Sequence, residues 1–262
     1  MTFSTTAFIV LLTSILLQIV NLIKPVKIIQ KINTIVMALT SLLLVADFCF
    51  ISFKIHFIAL TNMYGSLIFY SAVILLFTIL YNFITRAGSY PVLVFGTTMI
   101  AFVLLSTASS PLIPKEITPP IPALQSNWLV LHVSFAFIGE AFFAVSFIAS
   151  LLCLFSKNNE KKKNLETITV KSITIGYPIF TAGAILFGAI WAHYAWGRFW
   201  GWDPKEIWAL ITWLTYTVFL HLRLIKKAQG KIAMIISIVG FLFTLFTFFG
   251  VNFLLSGLHS YM

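Results

Sequence analysis

The sequence predicts an all-α, polytopic membrane protein with about eight transmembrane helices and with both termini on the outer (periplasmic or lumenal) side. Of the 262 residues, 60% are hydrophobic and only 9% are charged, whereas an ordinary soluble domain has about 25% charged residues. Eight stretches are apolar enough to cross a bilayer, which needs about 20 residues per helix. The basic residues cluster in alternate loops between these stretches.

Each stretch is expected to be helical because backbone groups inside lipid must be satisfied within their own segment. The predicted spans cover approximately residues 3–23, 33–53, 65–84, 91–108, 128–155, 177–193, 206–225 and 232–255. The first stretch is interpreted as a span because it lacks the basic start and the cleavage site of a secretory signal. We find no internal repeat and no soluble segment, so we expect a single integral membrane domain over residues 1–262.

The lysines and arginines predict the orientation. Thirteen of the 17 fall in loops after odd-numbered spans. Loops rich in lysine and arginine face the cytoplasm or its equivalent, so these loops are predicted to lie on that side. The four on the opposite side are Lys54, Lys115, Arg198 and Lys205. Topology therefore accounts for the net charge of +10, and a nucleic-acid partner is not expected.

The two longest connections have different compositions. The outer loop at residues 109–127 contains five prolines and is expected to be an extended connector. The inner loop at residues 156–176 is rich in lysine and is expected to be a solvated linker beside anionic lipid headgroups. Cys49 and Cys153 lie in apolar runs without a CxxC motif, so we expect packing roles for both.

Residues 191–208, WAHYAWGRFWGWDPKEIW, form the most distinctive stretch, with five tryptophans on the predicted outer side. An interfacial aromatic belt explains one or two of these rings but not this density. Asp203 with Pro204 and Glu206 predicts a capped start for the seventh span. We expect Trp196 and Trp200 to share one helical face beside Gly197, and Gly201 to leave room before Trp202. The stretch is therefore predicted to hold a flat, amphipathic ligand.

Five histidines are candidate ligands: His56, His132, His193, His221 and His259. His132 and His259 come from different segments but both lie on the predicted outer side, where they can meet beside the tryptophan-rich stretch. His221 lies 14 residues beyond Ile207, about 21 Å along a helix. An ionisable group at that depth in the membrane points to a function. A lone histidine near a helix end is more often an interfacial hydrogen-bonding residue than a ligand, so His56 and His193 are assigned no role.

The sequence narrows the kind of ligand. It contains no HExxH motif, no Cys/His zinc spacing and no carboxylate-rich cluster, which argues against zinc, magnesium and calcium sites. Two histidines from separate helices beside an aromatic wall suit the two axial positions of a haem iron, with Arg198 or Lys205 facing the propionates. A less favoured hypothesis is an ion or solute transporter that uses the intramembrane acids Asp47 and Glu140.

WGRFWGWDPKEIWALITW, residues 196–213, resembles the WWD signature of haem-handling proteins of cytochrome c biogenesis. Within that superfamily the chain is most similar to the CcsA/ResC branch of System II. The resemblance covers roughly the last two hundred residues. It extends to LTNMYGSLIF (60–69), QSNWLVLHVSF (125–135), LHLR (220–223) and GLHSY (257–261).

The resemblance implies a role for individual residues. His132 and His259 match the two outward-facing ligands of haem b, and His221 matches the ligand of an inner haem position whose other ligand comes from a CcsB (ResB or Ccs1) partner. Gly65 departs from the family, since related proteins often carry Glu there. The residues that match the WWD segment are Trp196, Gly197, Trp200, Trp202, Asp203 and Glu206.

The resemblance also implies a function. The chain is expected to be a cytochrome c synthase (haem lyase) component that, with its partner subunit, carries haem across the bilayer and presents it for attachment to the CXXCH motifs of apocytochrome c. No residue is singled out as a catalytic acid or base. The alternative is a CcmC-like exporter that presents haem to a chaperone without forming thioethers. The expected location is the bacterial inner membrane, or the thylakoid membrane in a plastid or cyanobacterium.

Overall fold

The computed structural model describes residues 3–84, 90–115, 118–225 and 230–255. All regular secondary structure in these ranges is helical, and eight helices are long and apolar enough to cross a membrane. The predicted all-α membrane fold is thereby confirmed. The chain divides into two compact units, Met1–Ile121 and Pro122–Met262. The expectation of one membrane domain over residues 1–262 stays a prediction.

The first unit is a ring of four antiparallel helices. Helix α1 packs against α2 and α4, and α3 also packs against both α2 and α4. The apolar core includes the fully buried Leu11, Met37 and Leu67. The helices are α1 (Phe3–Ile23), α2 (Lys27–Lys54), α3 (Met63–Ile84) and α4 (Pro91–Ser109).

The second unit is built around α5 (Asn127–Phe155), which packs against α6 and α9, while α8 packs against α6 and α9. Two π-helical segments interrupt the long helices of this unit. Its other elements are a 3-10 turn (Pro122–Leu124), α6 (Asn159–Phe180), the first π segment (Thr181–Phe187), α7 (Gly188–Trp196), α8 (Pro204–Leu224), α9 (Lys231–Leu245), the second π segment (Phe246–Gly250) and α10 (Val251–Leu254).

The prediction of a solvated linker at residues 156–176 is wrong, because α6 begins at Asn159 and runs directly into the sixth span. Asn158 caps it by accepting a hydrogen bond from the backbone amide of Lys161 at 2.9 Å. Leu165 and Ile173 are buried in the unit, whereas Lys161 is exposed. The lysines lower the mean hydropathy of this stretch, which made it resemble a linker. They occupy the exposed face of an amphipathic helix.

The first π segment allows a close approach of two helices. A Cβ atom added to Gly183 would lie 2.3 Å from the backbone nitrogen of Ala136 on α5, so only glycine fits there. Single-turn π segments shift the register of a helix and expose carbonyl groups, often near functional sites. The proline-rich connector before α5, by contrast, contains only the 3-10 turn among its described residues, as its composition predicts.

Candidate functional site

His132 is positioned by three features of the second unit. Its Nδ1 atom lies 2.9 Å from the carbonyl oxygen of Gly183. Its ring is parallel to the indole of Trp191, with an interplanar angle of 3° and 6.1 Å between centroids. A Cβ atom added to Gly188 would lie 2.9 Å from Nδ1. The imidazole is thus held between the first π segment and α7.

The hydrogen bond to Gly183 assigns the tautomer of His132. A carbonyl oxygen only accepts, so Nδ1 carries the hydrogen, and in the neutral imidazole Nε2 then carries the lone pair. Metal-ligating histidines commonly use this arrangement, in which the second nitrogen donates to a carbonyl that fixes the ring. The side chain is half-buried. His132 therefore has the geometry of an Nε2 ligand.

Trp191, Gly183 and Gly188 are site residues that the sequence reasoning did not single out. Trp191 is 1% exposed, and its Nε1–H donates to the carbonyl of Ala123 at 3.2 Å. It packs edge-on against Trp196, with 6.0 Å between ring centroids. The sequence offered one signal for these residues, the density of Trp and Gly on the side of the membrane predicted for His132. That density does not indicate which residues contact the imidazole.

The expectation that Trp196 and Trp200 share a helical face is wrong. Helix α7 ends at Trp196 because Gly197 adopts a left-handed φ of 74° and its amide donates to the carbonyl of His193. This is an αL helix cap, for which glycine is favoured. Trp200 lies in the following loop, where its ring packs edge-on against Trp202 at 6.1 Å.

Gly201 lies against the side chain of Arg198. An added Cβ atom would lie 2.8 Å from Nε and 3.1 Å from Cζ of Arg198. The absent side chain therefore makes room for the guanidinium group, and the expected clearance before Trp202 stays a prediction. Arg198 is exposed, so its charge lies at the surface of the tryptophan-rich loop, residues 197–203 between α7 and α8.

The start of α8 is capped as predicted. The Asp203 carboxylate accepts from the amide of Lys205 at 3.0 Å. Glu206 Oε2 accepts from the amides of Asp203 at 3.2 Å and Gly201 at 2.7 Å. These two amides flank Trp202, which has a left-handed φ of 56° and is 68% exposed. Glu206 thus holds an unfavourable backbone conformation that projects the Trp202 ring from the surface.

The two predicted propionate partners have different surroundings. Lys205 Nζ donates to Asn252 Oδ1 at 3.1 Å, and Asn252 Nδ2 donates to the carbonyl of Phe248 at 2.7 Å. Lys205 therefore ties α8 to α10. Arg198, which is exposed and packs over Gly201, is the better placed of the two to meet a ligand carboxylate.

The remaining histidines occupy separate positions. His259 and the tail motif at 257–261 lie outside the described residues. His221 is exposed near the end of α8. His193 is exposed and stacks on Phe199 at 4.3 Å, and His56 is exposed with a φ of 54° at the end of α2.

His132 and His221 mark opposite ends of the second unit. The α8 residue Arg223, two positions after His221, pairs with Glu166 of α6, whereas His132 contacts Gly183. Glu166 and Gly183 are 17 residues apart along a continuous helix, which corresponds to about 25 Å. The predicted outer and inner ligands are therefore far apart along the unit.

The two intramembrane acids lie in different units. Asp47 is 3% exposed in the first unit and accepts from the Tyr64 hydroxyl at 3.1 Å. Glu140 is 6% exposed in the second unit. No group of three or more His, Cys, Asp or Glu side chains suited to a bare metal ion occurs among the described residues. The groups on α5, α7 and the following loop that suit a flat ligand are the His132 imidazole, several indole rings and a surface guanidinium.

Known proteins are similar to this chain in sequence and in fold. The sequence profile of the cytochrome c assembly protein family matches residues 60–259. The chain is 39% identical over 222 residues to the cytochrome c biogenesis protein CcsA of Chlamydomonas reinhardtii, a match that covers 79% of this chain and 61% of that protein. It is 34% identical to CcsA of Prochlorococcus marinus, covering 79% of this chain and 76% of that one.

A solved structure named cytochrome c haem lyase CcmF shares the fold, with a TM-score of 0.69 at 17% identity. The match covers 94% of this chain and 45% of that protein. CcsA of Mesostigma viride is 34% identical, over 80% of this chain and 79% of the relative. Since the family profile spans most of the chain and relatives above 30% identity align over most of their own length, the chain belongs to the cytochrome c assembly protein family, within its CcsA branch.

Proposed function

We propose that this integral membrane protein is the haem-handling subunit of a cytochrome c synthase. Its family membership supports the broader role in cytochrome c maturation. In the proposed function, the chain works with a membrane subunit of the CcsB/ResB type. Together they carry haem b across the bilayer and present it on the outer side to the CXXCH motif of apocytochrome c.

The observation that carries the proposal is the environment of His132. Its Nδ1 faces the Gly183 carbonyl at 2.9 Å, and its ring is parallel to Trp191. Because Nδ1 faces this carbonyl, Nε2 is the ring nitrogen that would bind iron in this proposal, and imidazole nitrogen is a common ligand of haem iron. His259 supplies the second axial ligand in this proposal.

The tryptophan-rich loop supplies the surface on which the porphyrin lies. Trp196, Trp200 and Trp202 offer aromatic faces, with Gly197 and Asp203 fixing where the helices end and begin. Arg198 offers a guanidinium to a propionate, a pairing that is bidentate and charge-assisted. The loop lies on the outer side in the orientation that the basic residues predict.

The chemistry of attachment needs positioning above all. Each cysteine thiol of the acceptor adds across a haem vinyl group, so that sulfur bonds to the carbon next to the ring and hydrogen goes to the terminal carbon. The chain holds haem by both axial ligands until the acceptor's own histidine replaces one of them. Holding two reactants in the reacting geometry can lower the activation free energy by about 7–11 kcal/mol.

The exposed His221 near the end of α8 is the proposed inner ligand. An exposed imidazole in a span faces lipid or another subunit, and a ligand from a CcsB-type partner completes an inner haem site in this proposal. Haem then passes from His221 to His132, about 25 Å along the second unit.

The test is a histidine replacement with a matched control. The variant His132→Ala, coexpressed with a CcsB-type subunit, is expected to lose most of its outer haem and to regain part of it with added imidazole, because free imidazole can replace a missing ligand. Absorption spectra of the purified complex measure both effects. His193→Ala is the control. His193 also lies on α7, but its ring stacks on Phe199, and no haem contact is proposed for it.

Coexpression with an apocytochrome separates synthase from exporter. A synthase complex is expected to yield covalent haem on the acceptor, detected by haem staining after denaturing electrophoresis. A CcmC-like exporter would bind haem but leave the acceptor unstained. Normal haem content and normal staining for His132→Ala would refute the assignment of His132.

A further inference from the structure

Lys205 is the second residue of α8 and lies at the end of the second unit that is predicted to face outward. A cation in the first turn of a helix opposes the helix dipole, so α8 itself gains nothing from a lysine at this position. The side chain is half-buried, and its Nζ donates to Asn252 Oδ1 at 3.1 Å. The lysine therefore serves a contact with another element.

Asn252 is oriented to receive this ammonium group. It is 8% exposed, and its Nδ2 donates to the carbonyl of Phe248 at 2.7 Å. Phe248 lies in the second π segment, directly before α10. A lysine ammonium can only donate, so the amide oxygen of Asn252 faces Lys205 while the amide nitrogen is bound to the carbonyl. The contact thus joins the start of α8 to the second π segment and to α10.

Two further contacts hold α8 against the second π segment. The ring of Trp208 packs against Phe246, with 4.2 Å between centroids. The hydroxyl oxygens of Thr212 and Thr247 lie 3.5 Å apart. These two contacts are about one and two turns further into α8 than Lys205. Of the three, the Lys205 contact lies nearest to the tryptophan-rich loop.

Lys205 also interacts with acidic groups on two helices. Its charge is attracted by the carboxylates of Asp203, in the cap of α8, and of Glu140 on α5. Glu140 is 6% exposed and follows His132 by eight residues on the same helix, about 12 Å along it. The ammonium of Lys205 therefore interacts with groups on α5, α8 and α10, and α5 is the helix that carries His132.

The position of α10 matters because of the residues that follow it in the sequence. His259 comes five residues after Leu254, the last residue of α10. Five residues span at most about 18 Å, so the end of α10 limits where the His259 imidazole can be placed. A functional side chain has to be held within about 0.5 Å of its productive geometry. Small displacements of α10 are thus expected to matter.

We propose that Lys205 is a positioning residue for the second axial ligand of the outer haem. By holding Asn252, it fixes the end of α10 against the start of α8, so that the chain continues toward His259 from a point beside the tryptophan-rich loop. This inference rests on the proposed function, in which His132 and His259 bind the outer haem. Lys205 acts through Asn252 and does not touch haem.

The experiment measures the coordination state of the outer haem in the complex of the full chain with a CcsB-type subunit. A His221→Ala background, loaded with haem in solution, removes the signal of the inner haem. Lys205→Met removes the ammonium and keeps the apolar stem. It is expected to lower the ratio of six-coordinate to five-coordinate haem about tenfold, because a hydrogen bond to a charged group is worth at least that factor. Absorption and resonance Raman spectra measure the ratio, and added imidazole should restore six-coordination.

Asn252→Leu distinguishes positioning from direct binding of a propionate. If Lys205 acts through Asn252, Asn252→Leu gives the same spectrum as Lys205→Met, and the double variant shows no further change, as expected for two residues that act as one unit. A six-coordinate spectrum in Asn252→Leu overturns the proposal, and this variant decides if Lys205→Met does not assemble. Two controls should keep the wild-type spectrum. Lys231→Met makes the same change at the exposed start of α9, and Thr247→Val removes another contact between α8 and the π segment.

A His259→Ala reference distinguishes failure of this inference from failure of the proposed function. His259→Ala should show the same five-coordinate spectrum as Lys205→Met. An unchanged six-coordinate spectrum in His259→Ala contradicts the proposed function itself. A five-coordinate His259→Ala beside a six-coordinate Lys205→Met overturns only the role of Lys205. Loss of all haem from Lys205→Met, without recovery in imidazole, also overturns that role, because His132 should still hold the iron.

Discussion

At the scale of single residues, the geometry of His132 depends on atoms that carry no chemistry of their own. The Gly183 carbonyl accepts from Nδ1 because the helix is π-helical there, and the missing side chain of Gly188 leaves space for the ring. A glycine in a helix interior costs about 0.5–1 kcal/mol relative to alanine. Gly183 and Gly188 therefore lower the stability of their helix, which is consistent with a role in positioning His132.

We predict that Gly188→Ala weakens haem binding without unfolding the protein. The new methyl group would lie 2.9 Å from Nδ1, so the imidazole must turn away from the Gly183 carbonyl. Loss of such an orienting contact typically costs about 10–100-fold in metal affinity. Titration of the purified complex with haem, followed by absorption in the Soret region, measures the change.

Gly240→Ala is the matched control for this variant. An added Cβ atom there would lie 2.7 Å from Cζ of Tyr216, so the steric conflict with a ring is similar, but Tyr216 has no proposed contact with haem. Both variants should lower thermal stability to a similar degree. Equal effects of the two on haem affinity would mean that Gly188 has only a packing role.

At the scale of elements, hydropathy predicted the spans closely because lipid imposes their length and their internal hydrogen bonding. The Asp203 cap was also predictable, since its chemistry is local in sequence. The start of α6 was not, because its lysines hide an apolar stripe that only packing against α5 reveals. The end of α7 at Trp196 depended on the left-handed φ of Gly197, which a glycine permits but does not require.

The site itself was only partly predictable for the same reason. His132 could be proposed from its side of the membrane and from the WWD resemblance. Its contacts with Gly183 and Trp191 join positions 51 and 59 residues further along the chain, and no pattern in the sequence fixes which helix faces meet. The role of Glu206 beyond the cap, on the amide of Gly201, likewise appears only in the folded loop.

We predict that Glu206→Ala releases the loop that carries Trp202. The carboxylate accepts from the amides of Gly201 and Asp203, and its loss removes half of a capping box. An acidic group in the first turn of a helix contributes about 0.3–1 kcal/mol. Trp202 is then no longer held at a φ of 56°. Faster proteolysis within residues 197–203 and lower haem content are expected, measured by peptide mapping and by absorption.

Glu160→Ala is the control for the loop, because Glu160 is an exposed acid in the first turn of α6. Glu206→Gln should lie between the wild type and Glu206→Ala, since an amide oxygen still accepts a hydrogen bond but carries no charge. Unchanged cleavage in Glu206→Ala would mean that the strained conformation of Trp202 does not depend on this side chain.

At the scale of the whole molecule, the second unit separates two candidate ligand positions by its length. His132 lies at one end beside the tryptophan-rich loop. His221 lies at the other, near the point where Glu166 joins α6, α8 and the start of α9 through Arg223 and the amide of Gly230. The contacts of His132 with Gly183 and Trp191 include no residue near His221, so a substitution at one end is expected to leave the other end unchanged.

We predict that replacing these histidines gives different losses if haem moves from the inner to the outer position. In cells, His221→Ala should lower haem at both positions, because haem enters at the inner one. Purified His221→Ala protein supplied with haem in solution should still load the outer position, since His132 and its contacts are intact. For His132→Ala, the inner position should fill in cells while the outer one stays empty.

Haem content by pyridine haemochrome assay, with and without added haem, measures both cases, and His193→Ala should match the wild type throughout. Two variants that lose haem in the same way under both conditions would mean that the histidines serve one shared site, and full occupancy in His221→Ala would leave that residue with a packing role only.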